Sequence, residues 1–374
     1  MTNIARSLLL DGLIEEAGSS GNTGGKPRTL LRIRGDHGYA LGVSVDLHHV
    51  RLAILDFAGR VLGTMTPDGP FRTVDELAST LSSATAEITA RHSIDRDDLL
   101  GVGVAGPGPQ DRSVYERPPG PYADQWLDDS VPTVIGNTLN LPVLMLNDAN
   151  AVAMGEYGLS LDTRSSGNFA CIYMGESGVG SGIFLDGQLV LGSNSFAGAV
   201  AHVSMDVSGP VCFCGSRGCL ELYGSPRAVI EAVRRYDQEQ HDPLIGVSES
   251  GPLAPSDMEL VYAAARSGHP FAVEHVLTVA DYIASAAATM ATILDLDLII
   301  LAGDTFAGME EVYLESMQKM ADRIRQAGVR SPFAVRPTGL ASGNYAPAVG
   351  AGLAVLELPH LAEAGKDEVS VARP

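Results

Sequence analysis

The sequence predicts an α/β protein with mixed sheets, built in two similar halves. Apolar strand-like runs alternate with amphipathic helical stretches, the pattern of helices packed on sheets. The alternation occurs twice, once around "YALGVSVDLHHVRLAILDFAGRVLGTM" and again around "NFACIYMGESGVGSGIFLDGQLVLG". A chain of 374 residues is also long enough for two lobes, each with its own core.

The opening reads as a helix over residues 2–13, with Thr2 or Asn3 as cap, Ile4, Leu8, Leu9 and Leu13 as its apolar stripe, and a stop near Gly12. "LIEE", the loop "AGSSGNTGGKP" and "RTLLRIR" then form a β-hairpin with a glycine-rich, basic tip. Next come two apolar strands meeting at a turn near Ala58–Gly59. The helix "TVDELASTLSSATAEITARHS" follows, then the buried strand "LLGVGVAG" and the loop "GPGPQD". After a proline-rich stretch holding Trp126, "LPVLMLNDANAVAMGEYGLS" is a strand running into a helix, and "NFACIYMGESGVGSGIFLDGQLVLG" a strand pair joined by glycines. Residues 225–295 are mostly helical, "LDLDLIILAGD" is a buried strand, "PAVGAGLAVLEL" a late helix, and "AEAGKDEVSVARP" a loose tail.

The formal net charge of −20 excludes a chain that is basic throughout. Residues 1–35 differ: Arg6, Lys26, Arg28, Arg32 and Arg34 outnumber Asp11, Glu15 and Glu16, five cations to three anions, so this end carries +2 and the remainder −22. No run of eighteen apolar residues suggests a membrane span, and the start lacks the basic region and cleavage site of a secretory signal, so a cytoplasmic protein is expected.

Three of the four cysteines crowd into "CFCGSRGC", with His202 a short loop upstream, whereas Cys171 stands alone as a buried strand residue. Cys212, Cys214, Cys219 and His202 supply the three thiolates and one imidazole that fill a tetrahedral zinc site, closed and therefore structural. The bland alternative is three buried apolar cysteines. Gly215 and Gly218 favour the ion, because a chain wrapped tightly around a metal needs them and a core strand does not.

"AHVSMDVSGPVCFCGSRGCLE" resembles the Gly-His and Cys-x-Cys-Gly-x-x-Gly-Cys-Leu-Glu signature of the ROK family (repressor, open reading frame, kinase). The resemblance extends through "GVGVAGPGP", "LPVLMLNDANAVAMGE", "GVGSGIFLDGQLVLG", "IILAG" and "AVGAGLAVL", covering about residues 38–358. It implies a two-lobed, actin-like fold of the sugar kinase/ribonuclease H-like kind, with the zinc loop, a sugar between the lobes and a homodimer. The implied division is a partial winged helix over 1–37 and an N-terminal lobe over 38–135, completed by the helix near 346–358. A C-terminal lobe with the zinc site then takes 136–345.

By the same resemblance, Asp148 stands where the kinases of the family have their general base, and Asp148 and its neighbour Asn147 are expected to contact the sugar. The alternative is that Asp148 or Asn150 only caps the following helix. His202 and Glu221 match further sugar contacts, the zinc stiffening their loop. Glu221 could instead form a surface salt bridge.

Several positions depart from the kinase pattern. "SVDLH" replaces the first phosphate loop, Ser44 standing for its aspartate and Asp46, Leu47 and His48 for Gly-Gly-Thr. Side chains there obstruct backbone approach to phosphate. Asp46 also repels it, by about 4 kcal/mol per phosphate charge at about 4 Å and an effective dielectric near 20. In "FAGAVAH", Ala199 replaces a sugar-binding glutamate and Ala201 a glycine, and Asp304 replaces a second glycine in "LAGD". "GESGVGSG" at 175–182 matches a second phosphate loop, but its glycines equally close a tight hairpin, the favoured reading.

These departures point to a transcriptional regulator that binds a sugar or sugar phosphate without phosphoryl transfer. The alternative is an ATP-dependent, glucokinase-like sugar kinase with a divergent phosphate loop. Residues 1–35 resemble the recognition helix and wing of a winged helix-turn-helix, with Arg6, Lys26, Arg28 and Arg32 as DNA contacts. The first two helices of such a domain are missing, so operator DNA is expected as a partner only where that domain is complete. An internal start, a decayed domain and a dimerisation arm all remain open.

Overall fold

The computed structural model describes residues 3–19, 29–46, 48–68, 71, 73–108, 130–240, 245–248, 254, 256–328, 332–340 and 345–357. Thr2, Lys26, Arg28, Leu47, Trp126, the loop beyond Gly108 and the tail "AEAGKDEVSVARP" lie outside them.

Helix α1 (Asn3–Leu10) leads into a hairpin of β1 (Ile14–Ser19) and β2 (Thr29–Ile33), paired antiparallel with Glu15 opposite Arg32. None of the residues of α1 is buried, and Ile4 and Leu10 are 74% and 81% exposed. The chain then enters the first lobe through a turn at Gly35–His37. This turn is held by the Phe57 amide on Gly35 O at 3.0 Å and by the His37 ring edge-on against Phe57.

The first sheet contains β3 (Tyr39–Val45), β4 (Val50–Asp56), β5 (Val61–Met65), β6 (Leu99–Gly106) and β7 (Val143–Asn147), in the order β5-β4-β3-β6-β7. Its helices are α2 (Val74–Arg91), capped by the Thr73 hydroxyl on the Glu76 amide, and α3 (Val131–Leu139). Two strands were expected between 39 and 65, and three are present. The missed turn, at 46–49, has no glycine or proline to mark it. Strand β7 pairs in parallel with β6, so the first sheet runs past the boundary expected at 135/136.

Helices α4 (Asp148–Leu159) and α5 (Leu161–Ser166) lead into the second sheet. It contains β8 (Phe169–Gly175), β9 (Gly178–Leu185), β10 (Gln188–Leu189), β11 (Leu298–Ala302) and β12 (Ala334–Pro337), ordered β10-β9-β8-β11-β12. In each sheet the first three strands in sequence form an antiparallel meander and the last two add in parallel. This is the duplication that the alternation of strands and helices predicts.

Between β10 and β12 lie α6 (Glu221–Gly224), α7 (Pro226–Gln240), α8 (Asp257–Arg266), α9 (Pro270–Leu294), α10 (Asp304–Ala307) and α11 (Glu310–Ala327). Helix α9 is long and apolar enough to cross a membrane, yet it packs in the core of this lobe beside α8 and α11. The chain returns in α12 (Ala346–Glu357), whose residues Ala346–Val355 are all buried against β3, β6 and α4. The late helix thus lies against the first sheet and also joins it to α4.

Candidate functional site

At the end of β7 the chain turns into α4. Asn147 caps it: its Oδ1 accepts the Asn150 amide at 3.1 Å, while its Nδ2 donates to Gly108 O at 2.9 Å. The capping role considered for Asp148 or Asn150 therefore belongs to Asn147, whose amide is engaged at both ends. Asp148 accepts the amide of Ala149, at 2.8 Å. Burial pushes its carboxyl up to about 7, and the negative charge of Asp46 adds to the shift. A carboxyl poised near neutrality can take or give a proton at a bound hydroxyl.

That shift has a cost. The folded state holds the Asp148 proton more tightly than the unfolded chain. Stability is therefore undiminished below the ordinary carboxylate range, falls as pH rises from about 4 to about 7, and is then level. Asp148→Asn should raise stability at pH 8 by up to about 4 kcal/mol and leave it unchanged at pH 4. Denaturant unfolding at both values checks this; equal effects at the two pH values would refute it.

The four cluster residues come together as expected. The turn Val200–His202 places the imidazole, and bridges pairing Ser204 with Cys219 and Val211 with Arg217 fold the loop back over it. His202 Nδ1 is 3.7 Å from Cys212 Sγ, and Cys214 Sγ is 3.6 Å from Cys219 Sγ. All four donor atoms lie within 4.8 Å of one another. With Zn–S bonds near 2.3 Å, the edges of a tetrahedron measure about 3.8 Å, so the donor set has the right size for such an ion. Gly215 and Gly218 take φ of 90° and 57°, and a Cβ on Gly218 would lie 1.8 Å from Asp206 O.

Glu221 opens α6 two residues after Cys219. Burial pushes its carboxyl up to about 7, which is not the environment of a surface salt bridge. It lies against the start of β9, where a Cβ on Gly178 would be 3.3 Å from its Oε2. Ala149, the residue after Asp148, packs on Gly180 and Gly182 of the same strand. Of the substituted positions, Ala199 is exposed and Ala201 is buried.

The part the sequence did not reveal lies where the two sheets face each other. Gly175 pairs with Gly178, so Glu176–Ser177 is a two-residue hairpin turn, as the bland reading of "GESGVGSG" expects. Glu176 reaches across to the turn between β3 and β4. Its Oε2 accepts the His48 amide at 3.0 Å and its Oε1 contacts His49 Nδ1 at 2.5 Å. In return the Glu176 amide donates to Asp46 Oδ2 at 2.9 Å. Arg51, only 7% exposed, pairs with Asp304 Oδ2 at 3.2 Å and lies 3.9 Å from Glu176 Oε1. Burial pushes Asp304 up to about 6, against the pull of Arg51. An arginine in the apolar run "VRLAILD" was the one available signal for this network.

At the other end of the molecule, Arg6 is exposed on α1, and Arg32 pairs with Glu15 at 2.6 Å across the hairpin. Lys26 and Arg28 fall outside the described residues.

A model of the ROK family matches residues 40–357. A xylose repressor of Caldicellulosiruptor bescii is 24% identical over 330 residues, spanning 86% of this chain and 80% of the repressor. A glucokinase of Streptomyces coelicolor is 29% identical over 323 residues, spanning 84% of this chain and 96% of the glucokinase. A crystal structure of a ROK family transcriptional regulator, a homologue of the E. coli MLC protein, aligns with a TM-score of 0.70 at 20% identity, covering 96% of this chain and 90% of its own. The ROK family glucokinase of Streptomyces griseus, in complex with glucose and AMPPNP, aligns at 0.66 and 24%, covering 84% and 98%.

Proposed function

The chain belongs to the ROK family, and from that premise we propose that it is a transcriptional regulator sensing a sugar or sugar derivative in the cleft between its lobes, without kinase activity. One observation carries this reading: the two loops that would hold nucleotide phosphate are bound to each other through Asp46, His48 and Glu176. A polyphosphate entering there would face Asp46, Glu176 and Asp304 at once.

The N-terminal segment supports the same choice. The regulator's structure covers 96% of the chain, too much for the alignment to leave out all of residues 1–38, whereas the glucokinase's covers 84%. We take α1 and its hairpin as recognition helix and wing, with Arg6, Lys26, Arg28 and Arg32 facing operator DNA only where the winged helix is complete, and the protein as a cytoplasmic homodimer. The sugar would be held by Asp148, His202 and Glu221, with Asn147 shaping the loop beneath. A structural zinc would be bound by His202, Cys212, Cys214 and Cys219, leaving no open position for catalysis.

The second reading is a sugar kinase, favoured by Asp148 and by the match to nearly the whole Streptomyces coelicolor glucokinase. A coupled ADP-release assay over hexoses, pentoses and N-acetyl hexosamines decides between them. We expect no turnover, together with a thermal shift from one of these sugars or its phosphate. Turnover near 1 s⁻¹ or above, ordinary for enzymes, would overturn the regulator reading.

A further inference from the structure

Two junctions between the lobes, among the described residues, have opposite character. One is the seam of α12 against β3, β6 and α4, which is apolar and closes backbone on backbone. Opening it would expose apolar surface and leave voids. The other consists of charged and hydrogen-bonded groups at the tips of the β3–β4 and β8–β9 turns and at the end of β11.

We propose that this second junction is an intramolecular clasp, held through the Glu176 carboxylate, that governs how far the cleft opens. The proposal concerns the ligand-free chain and does not depend on the regulator reading.

The exchange between the turns is reciprocal. Each donates one backbone N–H to a carboxylate on the other, His48 to Glu176 at 3.0 Å and Glu176 to Asp46 at 2.9 Å. Such charge-assisted bonds are stronger than neutral ones. Arg51 extends the junction to a third segment by pairing with Asp304 at the start of α10. Arg51 is already paired with Asp304 and lies against Glu176, and His49 Nδ1 contacts Glu176, so an incoming polyanion finds these two groups engaged. Because Asp46 and Arg51 are buried, salt screens the contacts less than it would at the surface. All of the contacts cross from one sheet to the other, so a rotation of the lobes about the apolar seam breaks them together. That makes the clasp a two-state element of the hinge kind.

Hydrogen exchange on the ligand-free full chain tests this, followed in peptides covering 45–50 and 174–178, alongside small-angle scattering. In the unaltered protein both turns should be protected. Glu176→Ala should speed their exchange roughly tenfold or more, the effect of losing a charge-assisted hydrogen bond, and should enlarge the radius of gyration. Protection in β6 and β11 must stay unchanged, which guards against simple unfolding. Asp304→Asn, removing the other partner of Arg51, should shift both readouts in the same direction by less. Turns that exchange equally fast with and without Glu176 would overturn the clasp. Faster exchange at an unchanged radius of gyration would show contacts local to the turns, and would equally overturn its control of the cleft.

Discussion

Protein purified without chelator should carry one zinc per chain, and Cys219→Ser should lose both the ion and the ordered structure of residues 200–224. Cys219 is fully buried at the centre of the loop. Its Sγ is 3.6 Å from that of Cys214, its backbone pairs with Ser204, and Glu221 follows two residues later. Small zinc modules gain about 10–16 kcal/mol from the ion at neutral pH, as much as the whole stability of a typical domain, about 5–15 kcal/mol. Apolar burial contributes little to this loop, since Val207, Val211 and Phe213 are 83%, 60% and 49% exposed, and besides the ion it is held by its own hydrogen bonds, such as that from the Gly218 amide to Pro210 O at 2.8 Å. Serine at 219 keeps the volume but replaces a soft thiolate with a poor ligand. The change should therefore act through the metal alone. Ser216→Ala, in the same loop but outside the donor set, should keep the ion and serves as control. Elemental analysis and thermal unfolding with and without chelator measure both effects. A metal-free native protein, or a Cys212–Cys214 disulfide under reducing conditions, would refute the zinc. The loss should also weaken ligand binding, because Glu221 is positioned against Gly178 only while the loop is ordered.

The sequence made the donor set legible because candidate ligands of a closed metal site are a few residue types at short spacing, and the fold brings these four donor atoms within 4.8 Å of one another. The duplicated sheets were legible too, since strands buried on both faces, such as Leu99–Gly106, read as unbroken apolar runs. The clasp was not. His49, Arg51, Glu176 and Asp304 are scattered over 256 positions, and each is an ordinary residue where it stands. Asp46 was read as a charge repelling phosphate, but its Oδ2 is engaged by the Glu176 amide. Only the approach of two hairpin turns from different sheets reveals that role. The same holds for Asn147, which the sequence offers as a ligand beside Asp148 and the fold uses as a helix cap.

Gly350→Ala should cost the protein about 3 kcal/mol or more, although it adds a single methyl to a helix in which alanine is the better former. A Cβ on Gly350 would lie 1.7 Å from Ala151 O and 2.4 Å from its carbonyl carbon. Both are backbone atoms of α4, so no rotamer change relieves the clash and the two helices must separate. Gly42→Ala meets the same obstacle from the sheet side, with a Cβ 1.8 Å from Ala348 O. Gly350→Ala should therefore pry α12 from α4 at the apolar seam between the lobes, and Gly42→Ala should push α12 off the first sheet. Gly158→Ala, also on α4, is the control. Its Cβ would find only the side chains of Glu357 and Leu353 at 3.4 Å and beyond, and the change should stabilise by about 0.5–1 kcal/mol. At about 2–4 °C per kcal/mol for a unit of this size, the seam variants should melt at least about 6 °C lower, with the control level or slightly higher. If Gly350→Ala melts with the parent, α4 and α12 do not meet backbone to backbone, and the fixed axis about which the clasp opens and closes would be lost with that contact.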